Sequence, residues 1–301
     1  MITAAQEIQL GQYDVAIAGG AESMSQCPLS AYGQDARFGV KLGNGLKLVD
    51  TLWAALTDSY TGLPMGITAE KLAEKYNISR EDCEELAARS QQGWGAANEA
   101  GEFKSEMAPI DIKTRKGTVS MDTDEYPRPS TTAESLAKLP SVFQKDGVVT
   151  AGTASGINDG AAALIVVSEE AVKQHGFTPL ARVVSYGVAG VDPSIMGIGP
   201  CPAIRSALSA ANLTLDDMNL VEINEAFAAQ YIACEKELGL DRAKTNVHGG
   251  AIAIGHPLGA SGARILAHLT HQLADKPENK YAVGSACIGG GQGIAVILER
   301  A

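Results

Sequence analysis

Apolar and polar positions alternate along this chain in two periods. Ile2, Ala5 and Ile8 recur at helical spacing, and Gly11 follows where a C-terminal cap belongs, so the chain opens on the end of a helix with no visible N-cap. Val15-Ala16-Ile17-Ala18-Gly19-Gly20 is a short continuous apolar run ending in glycines, the pattern of a parallel strand buried on both faces. From Ser23 to about Thr150 the pattern changes. Charged helical stretches such as Thr68 to Ala100 alternate with turn-rich segments such as Lys116-Gly117 and Tyr126-Pro127-Arg128-Pro129, which reads as an α-rich insertion. Ala161 to Val167 then returns as a second buried strand, followed by a helix from Glu169 to His175.

After Gly176-Phe177-Thr178-Pro179 the alternation begins again. Ala181 to Gly187 reads as a strand, Cys201 to Ala211 as a helix, Leu220 to Ile223 as a strand, and about Gly259 to Leu273 as a helix. Tyr281 to Gly284 and Ile294 to Leu298 flank a cysteine-and-glycine turn like two paired strands. Alternating strands and helices predict layered α/β architecture: a first α/β domain over residues 1–177, interrupted by a loop domain at about 25–156, and a second over residues 178–301.

At 301 residues the chain is long enough for a large core and two domains. Its net charge of −11 excludes a general nucleic-acid surface while leaving room for a local basic pocket around one anionic cofactor. Five cysteines form no CxxC pair and no even framework, which predicts reduced thiols in an intracellular setting. No apolar run is long enough for a membrane span, and the N-terminal residues have neither secretory nor transit character. No group of His, Cys, Asp and Glu has metal-ligand spacing, so no metal site is expected.

Candidate chemistry gathers in three segments. In Gly284-Ser285-Ala286-Cys287-Ile288-Gly289-Gly290-Gly291-Gln292-Gly293, one cysteine precedes glycines whose backbone N–H groups can hold an oxyanion. Free cysteines are often simply buried, but the glycine run favours a reactive setting. His256, between Gly255 and Pro257 ahead of a helix, sits where the helix's positive end keeps an imidazole neutral and basic. Asn224, between a buried strand and an apolar helix, is either an N-cap or an amide that orients a water, and Glu225 beside it is structural or fixes that amide. His248 has weaker support, and His175, His268 and His271 read as ordinary helix residues. Gly152-Thr153-Ala154-Ser155-Gly156 offers small residues for a narrow ligand passage, or is a plain loop. Gly19-Gly20-Ala21-Glu22-Ser23 lacks any nucleotide-loop pattern.

Together with Gly20 to Ser25, Asp146 to Gly160 and Asp192 to Pro200, these segments resemble the thiolase family, nearest to its 3-ketoacyl-CoA thiolases of mitochondrial type, in order and through the whole chain. The resemblance implies cleavage of 3-ketoacyl-CoA by coenzyme A to acyl-CoA and acetyl-CoA, or the reverse condensation. Coenzyme A would be a substrate, with no permanently bound cofactor. It implies that His256 is the base, Cys287 the second cysteine that moves protons, Asn224 the holder of an oxyanion-hole water and Gly289 the N–H of another oxyanion hole. Arg128, Thr131 and Ser155 would contact coenzyme A, Arg128 near its nucleotide end and Ser155 near the pantetheine arm. A homodimer or homotetramer in the mitochondrial matrix is implied in the same way. Condensing enzymes that use an acyl carrier protein typically have two histidines, whereas Cys287 takes the place of the second here. Pro64 stands where acetoacetyl-specific members tend to have histidine, which leans toward a ketoacyl substrate.

One departure bears on activity. The family's nucleophilic cysteine lies in a Cys-Gly-Ser-Gly-type segment about a dozen residues before the match to Gln6-Glu7-Ile8, which here would precede Met1. Cys27 and Cys83 lie beyond the helix and strand that would follow it. The expectation is a first domain lacking that segment and, for the 301 residues alone, no useful turnover. A non-catalytic acyl-CoA-binding or subunit-modulating protein is the alternative.

Overall fold

The helix that follows the histidine motif is the central beam of the molecule, and the elements are best placed by reference to it. A computed structural model describes all residues, 1–301. In chain order, α1 (Ile2–Gln9) and β1 (Val15–Glu22) lead into an excursion of small elements: β2 (Leu29–Ser30), α2 (Gly33–Ala36), β3 (Val49–Asp50) and α3 (Thr51–Ala55). It continues through α4 (Met65–Tyr76), α5 (Arg80–Ala100), a hairpin of β4 (Ile110–Thr114) and β5 (Gly117–Met121), and α6 (Ala133–Leu136). The chain then returns as β6 (Gly160–Val167) and α7 (Glu169–His175). The last part runs β7 (Ala181–Gly190), α8 (Pro200–Ala211), β8 (Leu220–Ile223), α9 (Ala228–Leu238), α10 (Ala251–Ile254), α11 (Leu258–Asp275), β9 (Tyr281–Ile288) and β10 (Gln292–Arg300).

The larger sheet has the order β7-β10-β9-β8, with β8 parallel to β9 and the other pairs antiparallel. On one side α8 packs on β7 and β10, and on the other α11 packs on β9 and β10. The opposite face of α11 carries β1 and β6, so one helix is shared by two sheets. Its amphipathicity explains the first contact: Ile265, Leu266, Leu269 and Leu273 bury against Leu220, Ala282, Val296 and Leu298. Gly284 lets that helix approach, since a β-carbon there would lie 2.8 Å from Ile265.

The strands β1 and β6 depart from expectation. They pair antiparallel with each other, with Ile17 opposite Ile165, and form a sheet of two strands. One face is packed on α11, while Ile17 and Ile165 on the other are 79% and 70% exposed. The continuous apolar run predicts a parallel strand buried on both faces, whereas β1 is antiparallel to β6 and covered on one face only. A continuous apolar run reports that neither face is polar, whereas neighbours decide which face is covered.

The helical stretch Thr68 to Ala100 is two helices. Asn77 adopts a left-handed conformation (φ 50°) after α4, and Ser79 with Asp82 forms a capping box that starts α5. These helices join α8, α9 and β8 in the largest core cluster, so the excursion is fastened to the C-terminal sheet region by Leu72, Leu86, Ile204, Tyr231 and Ile223. No helix is long and apolar enough to cross a membrane.

Candidate active site

Asn224 leaves the end of β8, yet its backbone N–H still donates to Ser285 O on β9 at 2.9 Å. The helix that follows starts only at Ala228, with Phe227 in the cap position, so Asn224 is not an N-cap. Its fully buried side chain turns instead to His256, with Nδ2 3.2 Å from Nε2, and its Oδ1 is buried without a partner. Of the two readings open for Asn224, the helix cap is not formed.

Glu225 holds this turn in place. Its carboxylate accepts from Ser90 Oγ at 2.6 Å, Asn246 Nδ2 at 2.9 Å and Ile252 N at 3.2 Å, tying β8 to α5 and to the segment before His256. Burial pushes the Glu225 carboxyl above its ordinary range, against the pull of these donors. Asn246 is a second clamp, accepting from Ile223 N and donating to Ile223 O, both at 2.9 Å.

His256 is set by its own flanks. Gly255 has φ +91°, and a β-carbon there would strike the Asn158 side chain at 2.3 Å, so this position needs glycine. The backbone N–H of His256 donates to Gly156 O at 3.1 Å. On its other ring nitrogen, Nδ1 is 2.6 Å from Ser261 Oγ. Burial, with a smaller contribution from Arg264, lowers the His256 pKa to about 4, so the ring is neutral at physiological pH. Desolvation is the larger of these two causes.

The passage Gly152 to Gly156 is stitched between the two turns. Ser155 donates from its N–H (3.1 Å) and its hydroxyl (3.0 Å) to Ala226 O, and Ala228 N donates to Thr153 O at 2.8 Å. The Gly20 region reaches the same place from below: Glu22 Oε2 accepts from Gly259 N at 3.1 Å, and a β-carbon on Gly20 would lie 1.8 Å from Gly259 O.

Cys287 lies near the end of β9, opposite Gly293 of β10, with Gly289, Gly290 and Gly291 between the two strands. It is on the same face of β9 as Ser285, the residue bonded to Asn224, roughly 7 Å along the strand. Gly290 and Gly291 have φ of +82° and +81°, and the segment after Val191 packs directly under the turn, where a β-carbon on Gly291 would meet Val191 O at 2.3 Å. Gly289 faces open space, with only Met65 Sδ near, at 3.9 Å from such a carbon. Burial pushes the Cys287 thiol up to about 12, so it is a protonated acid rather than a thiolate.

The structure does not bring Arg128 and Thr131 into contact with Asn224 or His256. They lie along α5, where Arg128 N donates to Gln91 Oε1 at 2.6 Å and Thr131 O accepts from Gln92 Nε2 at 2.9 Å. Arg128 is exposed and makes no ion pair. A separate open groove of about 570 Å³, lined by Glu85, Arg89, Gln92, Thr132, Glu134 and Asn246, shares no residue with the Asn224, His256 and Cys287 group. Cys83, Cys201 and Cys234 are buried in the core.

Sequence reasoning missed two arrangements. Ser261 was not singled out, and His268 was read as an ordinary helix residue. His268 Nε2 is 3.1 Å from His248 Nδ1, and its Nδ1 is 2.9 Å from Glu106 Oε1. Burial works to lower the His268 pKa, but the Glu106 hydrogen bond and nearby Glu222 outweigh it and raise the value. A signal was present: Ser261, His268 and Gln272 are polar residues on the buried face of α11, where leucine and isoleucine otherwise dominate.

The sequence profile described as the N-terminal domain of thiolase matches residues 1–170, and that of the thiolase C-terminal domain matches residues 177–300. The chain belongs to the thiolase family. It is 61% identical over 300 residues to the mitochondrial 3-ketoacyl-CoA thiolase of Mus musculus, covering 100% of this chain and 75% of that one. The crystal structure of human mitochondrial 3-ketoacyl-CoA thiolase superposes with a TM-score of 0.97 at 60% identity, over 100% of this chain and 75% of the other. The same human enzyme in complex with CoA gives 0.95 at 59%, over 100% and 74%. The architecture is therefore the mixed α/β thiolase fold, with both thiolase domains represented.

Proposed function

We propose that this thiolase site cleaves 3-ketoacyl-CoA with coenzyme A to give acyl-CoA and acetyl-CoA, and runs the reverse condensation. The observation that carries the reading is the contact between Asn224 and His256, beside the strand that bears Cys287. His256 is neutral and takes the proton of the family's nucleophilic cysteine, whose sulfur bonds to the 3-keto carbon as that carbon's bond to the α-carbon breaks, and which then passes the acyl group to coenzyme A. Cys287 holds its proton at neutral pH and donates it to the α-carbon released as acetyl-CoA, taking it back in the condensation. The thioester and keto oxygens gather negative charge, which the Asn224 amide through a water and the Gly289 N–H stabilise. Arg128, Thr131 and Ser155 contact coenzyme A, with the exposed guanidinium of Arg128 available to its phosphates.

The names of the similar proteins support a mitochondrial setting and coenzyme A as the ligand. Residues 1–177 and 178–301 are the two domains of this reading, and the protein assembles as a homodimer or homotetramer. Thiolysis of acetoacetyl-CoA and of longer 3-ketoacyl-CoA by the protein from its source tests the activity. His256→Asn and Cys287→Ala are each expected to lower kcat by about a hundredfold or more, while CoA binding followed calorimetrically persists. Absence of thiolysis across chain lengths by the natural protein overturns the reading.

A further inference from the structure

His256 is held at both ring nitrogens, and the two holders are unlike. On the Nε2 side stands the Asn224 amide, with Nδ2 at 3.2 Å. On the Nδ1 side stands Ser261 Oγ at 2.6 Å, from a residue only 3% exposed in the first turn of α11. The hydroxyl is also 3.0 Å from Pro257 O, four residues back, the usual acceptor for a serine inside a helix. A hydroxyl has one proton. With that proton on Pro257 O, Oγ offers Nδ1 a lone pair and requires an N–H from the ring.

The two sides then agree. An imidazole with its proton on Nδ1 presents a lone pair at Nε2, which an amide N–H can meet. We propose that Ser261 is a positioning residue that fixes His256 in the Nδ1–H tautomer, leaving Nε2 as the atom that accepts a proton from the reacting thiol. When Nε2 is protonated, the Nδ1–H to Oγ bond persists and keeps the ring in place, while the Asn224 amide turns its unpartnered Oδ1 toward the new Nε2–H. A neutral hydroxyl in this place, instead of a carboxylate, orients the ring without fixing a negative charge beside it. The helix does the aiming: His256 precedes α11, Ser261 lies one turn inside it, and Glu22 holds the N–H of Gly259 between them.

The role in catalysis rests on His256 being the base proposed above, whereas the tautomer is measurable without turnover. The experiment is a long-range proton–nitrogen correlation spectrum of the protein labelled with 15N-histidine, the His256 signals being assigned by their loss in His256→Asn. The expected wild-type pattern is protonated Nδ1 and unprotonated Nε2. Ser261→Ala is expected to shift it to a mixture or to Nε2–H, and Ser261→Thr, which keeps the hydroxyl, to restore it. In the natural protein, Ser261→Ala should lower kcat about tenfold with KM for CoA unchanged, the scale of one lost hydrogen bond, and Ser261→Thr should recover most of it.

An Nε2–H pattern in the wild type overturns the inference and needs no variant to fold. Retention of the Nδ1–H pattern in Ser261→Ala overturns it as well. A natural protein that shows the Nδ1–H pattern and its Ser261 dependence but no thiolysis would sink the functional reading and leave the tautomer assignment standing.

Discussion

Ser90 donates a 2.6 Å hydrogen bond to the carboxylate of Glu225, across 135 residues of sequence, and so fastens helix α5 to the turn that presents Asn224. The same carboxylate receives Asn246 Nδ2 and Ile252 N, and Ser90 Oγ in turn accepts from Gly250 N at 3.0 Å. Both sides of the candidate site, the Asn224 turn and the approach to His256, therefore hang on one buried acid.

Glu225→Ala leaves the Ser90 hydroxyl, the Ile252 N–H and one of the two Asn246 Nδ2 protons without an acceptor, the other staying on Ile223 O. The expected cost is about 3 kcal/mol or more of stability, since each unsatisfied buried group costs about 1–3 kcal/mol and the local structure relaxes in part. Urea unfolding of the two proteins measures it. A change within about 0.5 kcal/mol would contradict the clamp.

Stability should fall as the pH drops from 6.5 to 4. His256 and His248 both have folded pKa values lowered to about 4, by burial first in each case. In the unfolded chain these rings take protons near pH 6.5, and in the folded chain only near 4, so their contribution is present above 6.5 and lost across that window. His268, whose folded value is raised, acts in the opposite sense: its contribution is complete below 6.5 and is lost as pH rises through its folded value. His256→Gln should flatten the acid-side loss by up to about 3 kcal/mol. Thermal melts of both proteins from pH 7 to pH 4 test this, and parallel curves would count against it.

Cys287 should resist alkylation. With its thiol pushed up to about 12, the thiolate fraction at pH 8 is on the order of 10⁻⁴, so iodoacetamide should label it at least about a hundredfold more slowly than free glutathione. Peptide mass mapping over time gives the rate. Labelling at the glutathione rate would mean that Cys287 is not held as an acid.

Two glycines make a matched pair. A β-carbon on Gly20 would lie 1.8 Å from Gly259 O, backbone against backbone, whereas one on Gly262, inside α11, meets nothing within 4 Å. Gly20→Ala is expected to destabilise by about 3 kcal/mol or more. Gly262→Ala should stabilise by about 0.5–1 kcal/mol, because alanine loses less backbone freedom in a helix. Melting temperatures moving in the same direction would refute the comparison.

Local rules carried the sequence a long way. Apolar periodicity located β1, α7, β8, α11 and the β9 to β10 pair within a few residues, because each buries a face whose period is fixed by backbone geometry. The glycines after Cys287 and the Gly255 flank of His256 marked candidate residues because φ > 0 and close approach exclude most side chains, and the Asn-Glu pair stood out as polar residues at the end of a buried strand. The order of these segments was enough to indicate the thiolase family.

Tertiary structure decided the rest. Whether β1 and β6 run parallel, and which face is covered, depends on neighbours that a local pattern does not encode. Asn224 could have capped a helix, and only the meeting of β8 with the start of α11 turns its amide to His256. The same meeting decides the electrostatics: desolvation, a property of everything packed around a group, makes His256 a neutral ring and Cys287 a held proton. The sequence by itself determined which residue types stand at which turns, since those follow from short-range sterics. Partners 135 and 162 residues away, Ser90 for Glu225 and Glu106 for His268, were decided by the fold, because burial and hydrogen bonding are set by distance in space.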